Sequence, residues 1–402
     1  MQIYLVGGAV RDQQLGIPIR ERDWVVVGAA ENELEALGYR RVGRSFPVYL
    51  HPDTSEEYAL ARTETKTGSG YHGFEINATG VTLEEDLSRR DLTINAMAQD
   101  TDGRIIDPYG GREDLQNRSL RHVSDAFRED PVRILRVARF SARFWDRGFR
   151  VADETLSLMR DMVTAGETDA LIPERVWRET ESALGEDRPD IFFEVLRDVG
   201  ALAAVYPELD ALFGVPQPER WHPEIDTGVH VLMALQQAAA LSASREARFA
   251  VLVHDLGKAT TPESEWPKHL GHEERGVRII KPFCERLGVP NRFRDLAIIV
   301  ARYHGLTHRA AELKPRTILK IFEDTDAFRR PERFADFLTA CEADARGRAG
   351  LEDKPYPQAA LLRTALDAAG EVTAEPLVRK GLKDDALGEA IRQARIDAIR
   401  KK

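Results

Sequence analysis

Two stretches of the chain combine side chains at spacings that could do chemistry. In the first, Gly7-Gly8 follows the apolar run Ile3–Val6, Arg11 lies one helical turn beyond Gly8, and Glu21-Arg22-Asp23 leads into a second apolar run, Trp24–Val27. Paired glycines let the backbone approach an anion closely, and the N–H groups of a helix start favour negative charge. Arg11 would add a charged fork to the same phosphate. If the strand begins a little before Trp24, Glu21 and Asp23 project to one face. Two carboxylates that close call for a counter-cation. Facing a phosphate, the usual one is Mg²⁺. Glu57, which opens the run Tyr58–Ala61, is a third acid available to that metal.

The second stretch is Val251-Leu252-Val253-His254-Asp255-Leu256-Gly257-Lys258, an apolar helical run closed by His-Asp and a glycine. His230 lies upstream. His269, His272, His304 and His308 lie downstream, with Asp344 further on. Imidazole and carboxylate ligands from different helices can hold one or two transition metals, whose bound water is a hydroxide source near neutral pH. A single His-Asp pair is more often a structural hydrogen bond. Here six of the ten histidines fall between residues 230 and 308, which favours a metal site. His230, His254, Asp255 and His304 are the candidate ligands. The spacing leaves open which downstream histidine takes part.

The elements that must carry these residues fall into two regimes. Through about residue 120, short β-type runs (Ile3–Val6, Trp24–Val27, Val48–Leu50, Tyr58–Ala61) alternate with helical stretches such as Glu31–Leu37 and Leu83–Leu87. From Pro131 onward nearly every segment has helical period. Pro173, Pro189 and Pro207 stand where helices should start or stop. Gly214–Pro223 reads as a Pro-rich linker, and Ala390–Lys402 as a basic amphipathic tail.

Composition narrows the function classes. The 402 residues carry 57 basic and 67 acidic side chains, a net charge of −10, with 43% hydrophobic and 31% charged residues. That is a folded chain, and one that does not coat nucleic acid by bulk charge. Between Arg118 and Arg150, however, nine arginines stand against four acids, a local charge of +5. Two cysteines make no disulfide framework, so a reducing, cytoplasmic setting is expected. The apolar run at the N-terminus is too short for a signal peptide, and no window is long and apolar enough for a membrane span.

Gly7-Gly8 with Glu21-x-Asp23 resembles the nucleotidyltransferase superfamily that includes DNA polymerase beta. Arg89-Arg90-Asp91-Leu92-Thr93-Ile94-Asn95-Ala96-Met97-Ala98 and Glu129-Asp130-Pro131-Val132-Arg133-Ile134-Leu135-Arg136 narrow the resemblance to class II tRNA nucleotidyltransferases. His254-Asp255 resembles the HD phosphohydrolase motif found in the C-terminal half of bacterial CCA-adding enzymes. The family's metal pair is usually D-x-D; here its first member is Glu21, whose carboxylate sits one methylene further out.

The fold expected is α+β: a small polymerase-beta-like palm over residues 1–140, a helical neck and body over 141–224, an HD domain over 225–330 and a helical, tRNA-contacting tail over 331–402. Asp130 and Arg133, three apart on a helix, would read the base. Carboxylate accepts from an exocyclic amino group and guanidinium donates to the adjacent ring nitrogen, a pattern that cytosine and adenine share and that guanine and uracil reverse. The resemblance implies the same role. It implies that Gly8, Arg11, Arg90, Arg136 and Arg139 hold the triphosphate of CTP or ATP, and that Glu21 and Asp23 bind Mg²⁺. In the HD block it implies a transition metal, with Ni²⁺ a candidate, and phosphodiesterase, 2′-nucleotidase and phosphatase activities. The partner is tRNA. Membrane and DNA are not expected partners, and the oligomeric state, monomer or dimer, is open. Two rivals stand: a bacterial poly(A) polymerase, of which Val42–Val48 is reminiscent, and a phosphohydrolase whose head only binds RNA.

Overall fold

The computed structural model describes residues 1–19, 21–42, 48–66 and 74–402. Most of the Val42–Val48 segment therefore lies outside the described residues. Residue contacts divide the chain into two units, Met1–Thr180 with Ile191–Val205, and Glu181–Asp190 with Tyr206–Lys402. The first holds the mixed sheet and the second is helical, an α+β architecture.

In the first unit β1 (Gln2–Val6), β2 (Asp23–Val27), β3 (Arg40–Val42), β4 (Val48–Leu50), β5 (Glu57–Leu60), β8 (Ala98–Gln99) and β9 (Ile105–Ile106) form one sheet in the order β3-β4-β5-β2-β1-β8-β9. A separate hairpin pairs β6 (Thr63–Lys66) with β7 (Phe74–Asn77). Alternation along β2 sends Val25 and Val26 to opposite faces. Val25 packs with Val6, Leu83 and Leu87 under α3 (Leu83–Ser88), and Val26 with Leu34, Tyr49 and Leu60 under α2 (Glu31–Ala36). With both faces covered the register is pinned, because a one-residue slip would exchange the two sets. That register puts Val6 opposite Asp23 on one side and Asp23 opposite Glu57 on the other. The turn from β1 into α1 (Gly8–Gln14) thus ends beside two carboxylate-bearing strands.

After α4 (Gly111–Asn117) the chain becomes helical with α5 (Val132–Phe144), α6 (Asp153–Thr164), α7 (Pro173–Leu184), α8 (Pro189–Asp198) and α9 (Ala201–Val205). Pro173 and Pro189 are the first helical residues of α7 and α8, where the missing N–H costs no intrahelical bond. Phe140, Phe144 and Phe149 are buried core.

The second unit contains α10 (Pro207–Asp210), α11 (Thr227–Ala240), α12 (Arg245–Val253), α13 (His272–Arg286), α14 (Asn291–Thr307), α15 (Pro315–Asp324), α16 (Pro331–Arg346), α17 (Pro357–Gly370), α18 (Glu375–Arg379) and α19 (Asp384–Arg400). Helix α12 is central, packed on α11, α14 and α16. The N-cap side chains of Asp226 and Ser244 start α11 and α12. Helix α16 lies beyond residue 330 and still packs on α11 and α12, so the bundle continues past that point. The expected linker Gly214–Pro223 is packed in part: Val215, Gln217 and His222 are buried while Glu219–Trp221 are exposed. Gln217 N–H donates to the Ile225 carbonyl at 2.7 Å, Lys258 Nζ donates to Gln217 Oε1 at 2.5 Å, and His269 Nε2 bonds the Pro216 carbonyl at 2.8 Å. Prolines suppress regular structure there without preventing burial. Among the described residues no helix is long and apolar enough to cross a membrane.

Candidate active site of the head and candidate metal centre of the helical unit

A cavity of about 560 Å³ opens at the β1–α1 turn. It is lined by Gly7, Gly8, Arg11, Asp23, Arg90, Asp130, Arg133, Arg136 and Arg139, all expected site residues apart from Gly7, and also by Arg62, Arg89, Arg143 and Arg175. Nine arginines against three aspartates make it a cavity for a polyanion. Gly7 holds φ at +68°, a left-handed conformation that favours glycine, and a Cβ there would press to 2.7 Å on Arg90 Nη1, which lies under the turn.

The arginines are held by a polar lattice. Arg11 is buried against Phe140 and Phe144; Asp12 takes its Nε and Nη2 at 2.8 and 2.7 Å, and Asn95 Oδ1 takes Nη1 at 2.5 Å. Asp91 accepts from Asn95 Nδ2 at 3.0 Å and from Arg136 Nε at 2.7 Å. Burial alone would raise the Asp91 carboxyl, but Arg136 and Asn95 hold it well below the usual carboxylate range, and Asp91 in turn raises Arg136. Arg139 stacks on Phe140 at 4.5 Å and donates to Glu179 at 2.6 Å. Asp91 and Asn95 stand within the Arg89–Ala98 box. Their i,i+4 spacing was the available signal, whereas nothing local marks Glu179.

Asp23 lines the cavity beside these arginines. Burial pushes its carboxyl up, Arg90 pulls it back, and the charge of Glu21 raises it again. Glu21, which is exposed, is not among the lining residues. Glu57, also exposed, faces Asp23 across the β2–β5 register. The charge of Glu21 on Asp23 marks two carboxylates near one another, an all-oxygen pair that suits a hard divalent cation.

The expected base-reading pair needs a correction. Asp130 and Arg133 do not share a helix face. Asp130 is extended at φ −131°, ψ 103°, two residues before α5, because a residue preceding proline is driven out of the α region and Pro131 follows. Both its oxygens are taken by Arg175 of α7, at 3.0 and 2.6 Å, and one also caps Val132 N–H at 3.1 Å. Arg133 donates to the carbonyls of Ala126 and Arg89 at 2.6 and 2.7 Å. Arg175 carried no sequence signal; its place follows from the packing of α7.

In the helical unit three histidines share one arrangement. Nδ1 of His254, His272 and His304 bonds a backbone carbonyl, of Val251 at 2.7 Å, of His269 at 3.0 Å and of Ala301 at 3.0 Å. Each is therefore oriented with Nε2 inward, the second-shell device of metal-ligating imidazoles. His254 Nε2 lies 3.1 Å from Asp255 Oδ2, and Nε2 of His272 and His304 lie 3.4 and 3.7 Å from Asp255 Oδ1. Nε2 of His272 and of His304 are 3.3 Å apart. His254 Nε2 and Asp255 Oδ1 are buried with no hydrogen-bond partner. Converging donor atoms that do not satisfy one another fit a cation among them. Despite burial, Asp255 and Asp344 hold the His254 imidazole protonated to about 10.

Asp344 completes the cluster. His230 Nε2 lies 3.0 Å from its Oδ1, and His308 Nε2 bonds its Oδ2 at 2.7 Å. His269 is outside, both ring nitrogens being taken by Thr261 and Pro216. His222 and Glu224, from the segment read as a linker and just after it, join the periphery, Glu224 lying 2.9 Å from His230 Nδ1. Gly257 is required by a close approach: a Cβ there would fall 1.9 Å from the His272 carbonyl oxygen, so it lets α13 deliver His272.

Comparison with known proteins places these features in families. Residues 3–121 match the poly A polymerase head domain, 148–213 the probable RNA and SrmB- binding site of polymerase A, and 227–333 the HD domain. The multifunctional CCA protein of Thioalkalivibrio sulfidiphilus is 63% identical over 401 residues, covering 100% of this chain and 98% of its own. That of Nitrosococcus oceani is 62% identical, with the same coverage. Among solved structures, the Bacillus stearothermophilus CCA-adding enzyme in complex with CTP aligns with a TM-score of 0.64 at 24% identity, over 99% of this chain and 89% of the other. The Thermotoga maritima CCA-adding enzyme complexed with tRNA aligns at 0.61 and 20%, over 100% and 88%. At these identities the likeness is one of fold.

Proposed function

We propose a function from one premise: the chain belongs to the family of multifunctional CCA proteins, and is a CCA-adding nucleotidyltransferase with an HD domain. In our reading the head adds C, C and A to the 3′ end of tRNA from CTP and ATP, without a nucleic-acid template, and releases pyrophosphate. The single observation that carries it is the arginine-lined cavity with Asp23 at the β1–α1 turn.

Arg90, Arg136 and Arg139 would hold the triphosphate, with Arg11 contributing charge from within its Asp12–Asn95 lattice. Glu21 and Asp23, with Glu57 nearby, would hold Mg²⁺, which when bound lowers the pKa of an attacking hydroxyl and neutralises phosphate charge. The 3′-oxygen of tRNA attacks the α-phosphorus in line, and the bond to pyrophosphate breaks. The residues act mainly by positioning and charge. Asp130 would accept from the exocyclic amino group of the base once a base N–H displaces a guanidinium N–H of Arg175, with Arg133 donating beside it. The HD cluster would hold a transition metal, Ni²⁺ being one candidate, and support hydrolysis of phosphoesters. The reading is of a cytoplasmic enzyme that takes tRNA by shape and backbone contact.

Incubation with tRNA lacking its 3′ end, Mg²⁺, CTP and ATP tests this. Addition of three residues ending in CCA is expected. A long A-tract would establish the poly(A) polymerase rival instead, and hydrolysis of bis(p-nitrophenyl) phosphate without any extension would leave only the phosphohydrolase.

A further inference from the structure

Beside the histidine–carboxylate cluster lies a cavity of about 720 Å³. His272 and His308 form part of its wall, so the cluster faces it. Its remaining lining is strongly cationic: among these residues Glu312 is the one carboxylate, against Arg220, Lys258, Lys268, Arg309 and others. A phosphate entering here meets cations before it meets the cluster.

Two residues of this wall are otherwise unexplained. Trp221 is 56% exposed, unusual for the largest apolar side chain, and the Arg220 guanidinium lies 4.8 Å from its ring centroid. An exposed indole beside a phosphate-attracting wall is a stacking platform, since every base offers a π-face. Arg348 follows α16 by two residues; its Nη2 is 3.8 Å from Asp344 Oδ1, and its buried Nε has no hydrogen-bond partner. A guanidinium that lines the cavity with its Nη2 beside a candidate metal ligand suits a phosphate oxygen.

We infer that this cavity is a nucleotide subsite of the hydrolytic centre, in which Trp221 stacks the base and Arg348 clasps the phosphate presented to the cluster. The inference rests on the phosphohydrolase reading of the HD cluster. It takes the ligand to be a nucleoside carrying a terminal phosphate, whether free or at the 3′ end of an RNA.

The full-length protein, loaded with metal, would be assayed on 2′-AMP and on glycerol 2-phosphate, a phosphomonoester without a base. Trp221→Ala should raise KM for 2′-AMP about tenfold more than for glycerol 2-phosphate, with Trp221→Phe restoring most of it. Arg348→Ala should raise KM for both about tenfold at unchanged metal content, with Arg348→Lys restoring part. In a separate binding test, 2′-AMP should quench tryptophan fluorescence in the wild type and not in Trp221→Phe. Equal effects of Trp221→Ala on both substrates, or a quench that survives Trp221→Phe, would overturn the subsite. A Trp221-dependent quench in a protein that hydrolyses neither substrate supports the subsite while removing the phosphohydrolase reading. Competition by an oligoribonucleotide ending in a 2′-phosphate, stronger than by 2′-AMP, assigns the ligand to an RNA end; weaker competition assigns it to free nucleotides.

Discussion

The head cavity and the histidine cluster both suit phosphate chemistry, by opposite means. In the head the positive charge is permanent: guanidiniums cannot be switched off in proteins, and the lattice of Asp12, Asp91, Asn95 and Glu179 aims them. In the helical unit imidazoles and carboxylates converge on one another; the positive charge there is a proton on His254 that a metal displaces, so lasting charge must arrive with the metal. The difference teaches what each region requires of its scaffold. An arginine cavity needs carboxylates that orient cations, whereas a metal cluster needs backbone carbonyls that fix imidazole tautomers.

The strongest way to break the comparison is to remove one charge from each. Asp23→Asn should lower nucleotide addition at least about a thousandfold, some 4 kcal/mol of barrier, while phosphoester hydrolysis persists. Asp255→Asn should do the reverse. If either substitution abolished both activities without unfolding the protein, the two sites would not be separate machines.

Metal uptake sharpens the contrast next. Because His254 is held protonated to about 10 in the metal-free protein, it binds a proton across the neutral range and a metal must displace it. Apparent affinity should therefore rise about tenfold per pH unit through pH 6–8, read by calorimetry in buffers of different ionisation enthalpy. CTP binding to the head should lack that slope. Removing the metal with a chelator, then restoring Mg²⁺ alone, should return addition and not hydrolysis.

Smaller effects probe how the head discriminates. Asp130→Ala should cut the preference for CTP and ATP over UTP and GTP by about 10–100-fold, with tRNA affinity less affected. Arg175→Ala should erode the same preference by only about fivefold, because it positions Asp130 and does not itself read the base. Unchanged nucleotide choice in Asp130→Ala would remove the role given to that residue. Glu21→Asp should stay within about tenfold of wild type, or 1.4 kcal/mol, when addition rates are compared at saturating Mg²⁺.

The smallest expected effect concerns stability. The folded-state pKa of Asp91 lies below its unfolded value, so its contribution is complete above about pH 4 and is lost as pH falls further. Asp91→Asn should lower the melting temperature by a few degrees at neutral pH and flatten its decline between about pH 4 and 2. An unaltered acid profile would show that Asp91 is not the anchor of Arg136.

Much of both sites was legible from local pattern. Gly7-Gly8, Asp23, the arginines of α5 and His254-Asp255 each carry their spacing within one or two elements, and strand alternation or helical period is a local property of the backbone. What failed was nonlocal or a proline effect. Asp130 stands at helical i,i+3 spacing from Arg133, but the intervening Pro131 keeps it extended and off the helix. The proline content of Gly214–Pro223 signals irregular backbone and says nothing about the burial of Val215, Gln217 and His222.

The chain by itself therefore determined the residue types and their order, down to which turn opens on the arginine cavity and which helix ends in His-Asp. Only the tertiary structure decided which distant groups close each site: Arg175 onto Asp130, Glu179 onto Arg139, His272 and His304 onto Asp255, Asp344 onto His230. The reason is physical. A side chain's partner across tens of residues is selected by how helices pack and which buried charge must be matched, and no spacing along the sequence encodes that choice.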